Sequence, residues 1–381
     1  MKIVIAPDSF KDSLTALEVA QAIRTGWARV WPDVDYVLVP MADGGEGTVQ
    51  SLIDATGGSI INKRVKGPLG TPVDGFFGLL GDGQTAVIEM AAAAGLEYLS
   101  EPERNPLITT SYGVGELILA ALDQGARHII LGLGGSATND GGCGMAQALG
   151  VQLLDNEGSP LPPGGQSLSK LSAIDDREKD RRIADCRFDI ATDVTNPLTG
   201  RLGASAVFAP QKGASPAEVE SLDRALAHFA AIVRRDLKMD IEQVPGTGAA
   251  GGLGAGALCF LGGSIRPGIE WVIHETQLEQ KMAGASLVIT GEGKIDGQTI
   301  YGKTPIGVAH CANKLGIPVL ALAGSLAKDS SVVLDHGMDA LFSIVPGACS
   351  LTQAISDAKE NIERVAENLS RFWQFAAKSR H

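Results

Sequence analysis

Five short runs rich in Val, Ile and Leu lie at the two extremes of this 381-residue chain. KIVIAP and DYVLVP stand near the start, and SLVIT from Ser286, PVLALAG from Pro318 and ALFSIV from Ala340 near the end. Helical patterns separate them, and that alternation is the signature of an α/β fold with largely parallel sheets. Neither end supplies enough strands for a doubly wound sheet by itself. The two ends are therefore expected to fold together, residues 1–67 with 286–381, around an inserted α/β domain at 68–285. Thr15 and Glu18 fit a capping box at the first helix. The inserted part has its own strands at AVIEM, HIILGL and FDIATDV, and Ser215, Pro216 and Glu218 form a helix-start signal. The segment from Ser350 to Ser379 reads as one amphipathic helix or two. No internal repeat and no heptad pattern is evident.

A chain of this length with 44% hydrophobic residues can bury two cores. Its net charge of -12, with no Lys/Arg cluster, argues against a nucleic-acid partner. The five cysteines are scattered and odd in number, which favours free thiols in a reducing compartment, and a cytoplasmic location is expected. MKIVIAPDSF is too short in apolar residues for a signal peptide's core. The uncharged run from Pro245 to Ile265 is Gly and Ala rather than Leu, Ile and Phe, which disfavours a membrane span.

The stretch HIILGLGGSATNDGGCGMAQALG, from His128 to Gly150, carries the most chemistry. An apolar run stops in Gly134, Gly135, Gly141 and Gly142, whose missing Cβ atoms allow positive φ and close approach to a ligand, before a helix whose free N–H groups would attract anions. Ser136, Thr138, Asn139 and Asp140 add oxygens. Taken alone, such a loop reads more readily as helix capping than as phosphate binding. It has company, however. The first strand runs into Asp8, Ser9 and Lys11, the second into Asp43 and Glu46, SLVIT into Gly291, Glu292, Lys294 and Asp296, and FDIAT into Asp193. Ligands of open α/β sheets bind beyond the strand carboxyl ends, so these loops suggest one polar cleft between the two domains.

Carboxylates mixed with hydroxyls, glycines and single lysines fit magnesium-dependent phosphoryl transfer. No GxSxG elbow, HExxH or paired His/Cys spacing is present, and the six histidines stand away from these loops, which disfavours serine hydrolases and zinc enzymes. GQTIYGKT, Gly297 to Thr304, matches the P-loop pattern. Its context is expected to be wrong, because six residues follow Thr290 before it begins and Pro305 comes directly after it. The glycines from Gly248 to Gly254 read equally as a close-packed helix or a ligand loop, and Lys212 before Ser215 is a candidate anion contact.

APDSFKDSL, PMADGGEGT, TTSYGVGELI, GGSATNDGG, DVTNPL, PQKGA, GAAGGLG and TGEGKIDGQT occur in this order. Together they make the chain resemble the type 1 glycerate kinases of bacteria, over essentially its whole length. The resemblance implies a Rossmann-like or flavodoxin-like parallel-sheet domain formed by both chain ends, with a second α/β domain inserted. It also implies ATP-dependent phosphorylation of D-glycerate at the 2-hydroxyl, in small organic acid catabolism. The resemblance implies the reaction and not each residue's role; for that reaction, Gly134 to Gly142 and Lys303 are expected at the nucleotide phosphates, Mg2+ at Asp43, Glu46 or Glu292, and the glycerate carboxylate at Lys11, Ser9 or backbone N–H groups. Asp193 is the first choice to accept the hydroxyl proton, with Asp8 and Asp296 behind it, and Lys212 and Lys294 are further anion contacts. Open alternatives are a kinase of the 3-hydroxyl or of another small hydroxy acid, and a non-catalytic binding protein. The expected partners are small molecules, with no nucleic acid and no membrane, and a homo-oligomer is possible.

Overall fold

The computed structural model describes residues 1–45 and 47–378, and its chain divides into two compact units. One comprises Met1–Asp43, Gln50–Gly57 and the segment beginning at Ile269; the other comprises Gly44–Val49 and Gly58–Gly268.

The terminal unit holds a sheet of five parallel strands, Lys2–Ile5, Asp35–Leu38, Leu287–Ile295, Val319–Leu326 and Ala340–Ser343, numbered first to fifth along the chain. Their order across the sheet is fifth, fourth, third, first, second, the flavodoxin-like doubly wound arrangement. Its switch point lies between the first and third strands, where Ile3, Val4 and Ile5 pair with Leu287, Val288 and Ile289. All six are nearly inaccessible, as expected for apolar strands covered on both faces. Helices Ala16–Ala28 and Ala358–Lys378 pack together, and Gly26 allows this because a Cβ there would meet the Glu363 carbonyl oxygen. The Thr15 and Glu18 capping box opens the first helix as read.

The inner unit has a six-stranded sheet. Strands Thr85–Glu89, His128–Gly132, Arg187–Ala191 and Ser264–Arg266 are parallel neighbours in that order. Pro72–Leu79 and Ser59–Lys66 extend it as an antiparallel pair, so residues 59–66 belong to this sheet. Its core gathers Phe77, Ile88, Leu117, Ile129, Leu131, Phe188 and Leu253. Helix Pro216–Asp236 begins at the Ser215 capping box and packs Leu226, Phe229 and Val233 into a second apolar cluster. Among the described residues, no helix is long and apolar enough to cross a membrane.

Two readings of the sequence change here. The strand expected to end at Thr290 continues through Gly291, Glu292, Gly293 and Lys294 to Ile295, because Gly291 to Ile295 pair with Leu322 to Leu326 next door. Helix Thr304–Lys314 then starts at Thr304, with Pro305 in its first turn, where proline is tolerated. GQTIYGKT thus does connect a strand to a helix, and both contextual objections to it disappear. The second change concerns the glycine-rich run: Ala249–Leu261 is helical, yet Ala250, Gly251 and Gly252 are left-handed inside it. Gly251 is required twice over, by φ +66° and because a Cβ would run into the Thr138 carbonyl oxygen.

Candidate active site

In the terminal unit, the polar cluster sits at the sheet's switch point. Asp8 follows the first strand and is fixed there by its backbone, which donates to the Gly291 carbonyl at 2.8 Å. One carboxylate oxygen accepts the Ser9 N–H at 2.6 Å, and the other accepts Thr304 Oγ1 at 2.6 Å. Burial, then the charge of Asp43, and in smaller part that of Glu292, push the Asp8 carboxyl up to about 7, against the opposing bonds from Thr304 and Ser9. Glu292 is 8% exposed; Thr299 Oγ1 donates to it at 2.6 Å and Lys303 Nζ approaches at 3.3 Å. Burial raises its pKa and Asp43 adds to that, while Thr299 and Lys303 oppose.

Asp8, Asp43 and Glu292 are thus close enough for their charges to act on one another. This all-oxygen donor set fits a hard cation such as Mg2+, which relieves like-charge crowding. Among the described residues, no group of three or more His, Cys, Asp or Glu forms a ready-made metal cage. Glu46 lies outside the described residues. Asp296 pairs with Lys294 at 3.1 Å and accepts the Gln298 N–H at 3.0 Å, and its pKa is lowered chiefly by Lys294. Lys11 and Lys294 are exposed, and Ser9 is half-buried. The hydroxyls of Thr299 and Thr304 were missed as individual site residues, although GQTIYGKT contains both.

In the inner unit, the loop after His128–Gly132 is organised by Asp140. Its carboxylate accepts the backbone N–H and Oγ of Ser111 at 2.8 and 2.9 Å, and the N–H groups of Gly142 and Gly144 at 3.2 Å each. Gly141 N–H goes to the Gly251 carbonyl and Cys143 N–H to that of Asp140. The helix that follows, Cys143–Ala148, has only six residues. The N–H groups of Gly141, Gly142, Cys143 and Gly144 are thus taken up within the protein itself. Ser111, in TTSYG, was not singled out; the pairing is between distant segments and has no local signal.

The polar side of this loop that faces a cavity is instead around Ser136. Lys212, 1% exposed, donates to Ser136 Oγ at 2.7 Å and to the Thr138 carbonyl at 2.6 Å. Burial pulls its amine down to about 7, with Asp140 opposing. A cavity of about 300 Å³ adjoins Gly135, Ser136, Gln211 and Lys212, walled by apolar groups including Leu133 and Phe208. Asn139 Nδ2 donates to Ser205 Oγ at 3.0 Å, while Thr138 Oγ1 and Asn139 Oδ1 are buried with no hydrogen-bond partner. Gly134 is half-buried, with room at its Cβ position. Asp193 is exposed in the loop after Arg187–Ala191, and one of its oxygens accepts the Gly268 N–H at 3.1 Å.

Strand-end carboxylates, hydroxyls and lysines of this kind, on two α/β units, define the chain as a phosphotransferase of the small-molecule kinase class. The chain belongs to the glycerate kinase family, whose model matches residues 3–374. It is 55% identical over 370 residues to a glycerate kinase of Bacillus subtilis (strain 168), covering 97% of each chain. It is 52% identical, with the same coverage, to the glycerate 2-kinase of Escherichia coli (strain K12). A crystal structure of a protein proposed as glycerate kinase 2 from Salmonella typhimurium LT2 superposes with a TM-score of 0.92, at 51% identity and 99% coverage of both chains.

Proposed function

We propose that this chain transfers the γ-phosphoryl group of ATP to the 2-hydroxyl of D-glycerate, giving 2-phosphoglycerate and ADP, as a cytoplasmic enzyme of small organic acid breakdown. The observation that carries the reading is 52% identity across 97% of both chains to a protein named glycerate 2-kinase. The site chemistry agrees with it. Phosphoryl transfer needs charge neutralisation and alignment more than covalent help, and the terminal unit offers a lysine and hydroxyls beside crowded carboxylates.

In this reading Lys303 contacts the nucleotide phosphates, aided by the start of helix Thr304–Lys314. Asp43 and Glu292, with Asp8 beside them, are the residues that would hold Mg2+, which when bound offsets charge on the phosphate oxygens. Thr299 and Thr304 keep Glu292 and Asp8 oriented. Asp193 is the proposed acceptor of the 2-hydroxyl proton, since it is exposed and its carboxylate is oriented by the Gly268 N–H.

Incubation of the protein with ATP, Mg2+ and D-glycerate, followed by phosphorus NMR, tests the reaction. A phosphate-ester resonance whose proton coupling places it on the 2-oxygen of glycerate is expected. A product phosphorylated at carbon 3, or no product at all, would reject it. Asp193→Asn is expected to lose at least about 100-fold in turnover; a variant within a few-fold of the parent would remove Asp193 from the mechanism.

A further inference from the structure

We infer that the cavity beside Lys212 is the seat of the acid substrate's carboxylate, and that Lys212 and Ser136 are the side chains that grip it. The inference rests on the proposed glycerate kinase activity and names which end of that substrate the inner unit holds.

An ammonium group has three N–H donors. Two of those on Lys212 go to Ser136 Oγ and the Thr138 carbonyl, both uncharged acceptors. Among the described residues, no carboxylate lies within ion-pairing distance of the amine, and its third donor has no protein acceptor. Lys212 nevertheless borders a cavity open to solvent on the side of Gly135 and Gln211, both exposed. A long cationic side chain is seldom buried unless it is paired. A carboxylate entering the cavity supplies the missing acceptor and the missing charge together.

Ser136 reinforces the assignment. Its Oγ accepts from Lys212, which leaves its own O–H free to donate to the same incoming oxygen. The apolar walls of Leu133, Val194 and Phe208 lower the local dielectric and strengthen the ion pair, and they suit the C–H groups of a short carbon chain. About 300 Å³ is the lower limit for pockets that enclose drug-sized ligands, and suits a three-carbon acid better than a whole nucleoside triphosphate.

The state of the amine adds a second readout. Burial holds it near neutrality, and the charge acting on it is that of Asp140, which is itself engaged by Ser111, Gly142 and Gly144. An arriving carboxylate stabilises the protonated form, so binding takes up protons at slightly alkaline pH.

The test uses the full chain and its Lys212→Met variant, with ATP and D-glycerate varied independently. The KM for D-glycerate is expected to rise roughly 10-fold to 100-fold, the range of a lost charge-assisted bond, with the KM for ATP held within about 2-fold. Calorimetry of D-glycerate binding in buffers of different ionisation heat is expected to show proton uptake by the parent and none by the variant. Val194→Phe, which narrows the cavity with Lys212 intact, is expected to raise the same KM, and this holds the test open if Lys212→Met fails to fold. A rise in the KM for ATP instead would assign the cavity to a nucleotide phosphate and overturn the inference. So would unchanged constants with unchanged proton uptake, which would make Lys212 an internal tie for the loop. If the parent turned over no glycerate while Lys212→Met weakened calorimetric binding of D-glycerate, the kinase reading would fall and the carboxylate seat would stand.

Discussion

Replacing Lys212 with Met should make the protein more stable near neutral pH, even as it harms function. The fall of this amine from 10.5 to about 7 on folding, at about 1.4 kcal/mol per pKa unit, corresponds to roughly 5 kcal/mol against the buried charge. Methionine, of similar length, removes that cost and also removes the bonds to Ser136 Oγ and the Thr138 carbonyl, worth together about 2 to 3 kcal/mol. The net gain is about 2 kcal/mol, or about 4 to 8 °C in melting temperature for a unit of this size. Its pH dependence carries a definite sign. Below about 7 both folded and unfolded chains hold the proton, and the full cost of the charge is present. Between about 7 and 10.5 the unfolded chain holds a proton that the folded one has shed, so the parent's stability rises with pH across that window. Differential scanning calorimetry at about pH 6.5 and about pH 9.5 should therefore find the variant ahead at the lower value and level or behind at the higher. A variant less stable at both values, or a difference that ignores pH, would refute the reasoning by showing that the amine is comfortable in its site.

Asp8 gives the opposite slope. Its carboxyl is raised from 3.8 to about 7, so between those values the folded chain holds a proton that the unfolded one lacks, and stability falls as pH rises. Asp8→Asn, whose amide can still meet Thr304 and Ser9, should raise the melting temperature at pH 8 by several degrees more than at pH 5; equal shifts would contradict the assignment. Asp140→Ala leaves the donors of Ser111, Gly142 and Gly144 buried without an acceptor, and urea unfolding should show a loss of about 3 to 5 kcal/mol. A loss under about 1 kcal/mol would mean that water reaches the loop. Gly251→Ala combines a left-handed backbone with a clash on the Thr138 carbonyl, so a cost of at least about 3 kcal/mol is expected, and near-parent stability would show that this segment can move.

The sequence was most legible where local rules suffice. The five apolar runs at the chain ends all became strands of one sheet, since short runs of β-branched residues, leucine and alanine separated by helical patterns suit parallel strands. The Thr15 and Ser215 caps were equally plain, each being a three-residue contact. Ser59–Lys66 escaped notice because its outward-facing charges obscure an edge strand that exists only through its pairing with Pro72–Leu79. The length of Leu287–Ile295 was underread for a similar reason: glycines at 291 and 293 look like a turn, yet the neighbouring strand supplies partners that hold them extended. Around the candidate site, residue types were visible but allegiances were not. Asp140 reads as a ligand and is occupied by Ser111, 29 residues earlier. Lys212 reads as a helix-start lysine and is buried against a loop 76 residues away. Such partnerships are tertiary and leave no periodic trace.

The first strand of the terminal unit has a consequence for how the chain is made. Thr290 Oγ1 donates to the Ala6 carbonyl across 284 residues, and the strand's other neighbour, Asp35–Leu38, offers only one edge. A ribosome releasing this protein at about 5 to 20 residues per second therefore leaves the opening segment waiting for well over ten seconds before its central partner emerges. During that interval Ile3, Val4 and Ile5 form an apolar ribbon with one open edge, suited to capture by a chaperone and liable to pair with another nascent chain. Residues 58–268 have no such wait, because their sheet is complete once Ser264–Arg266 has been made. Maturation of this protein is thus expected to run from the middle outward, with yield limited by the segment that begins at Ile269.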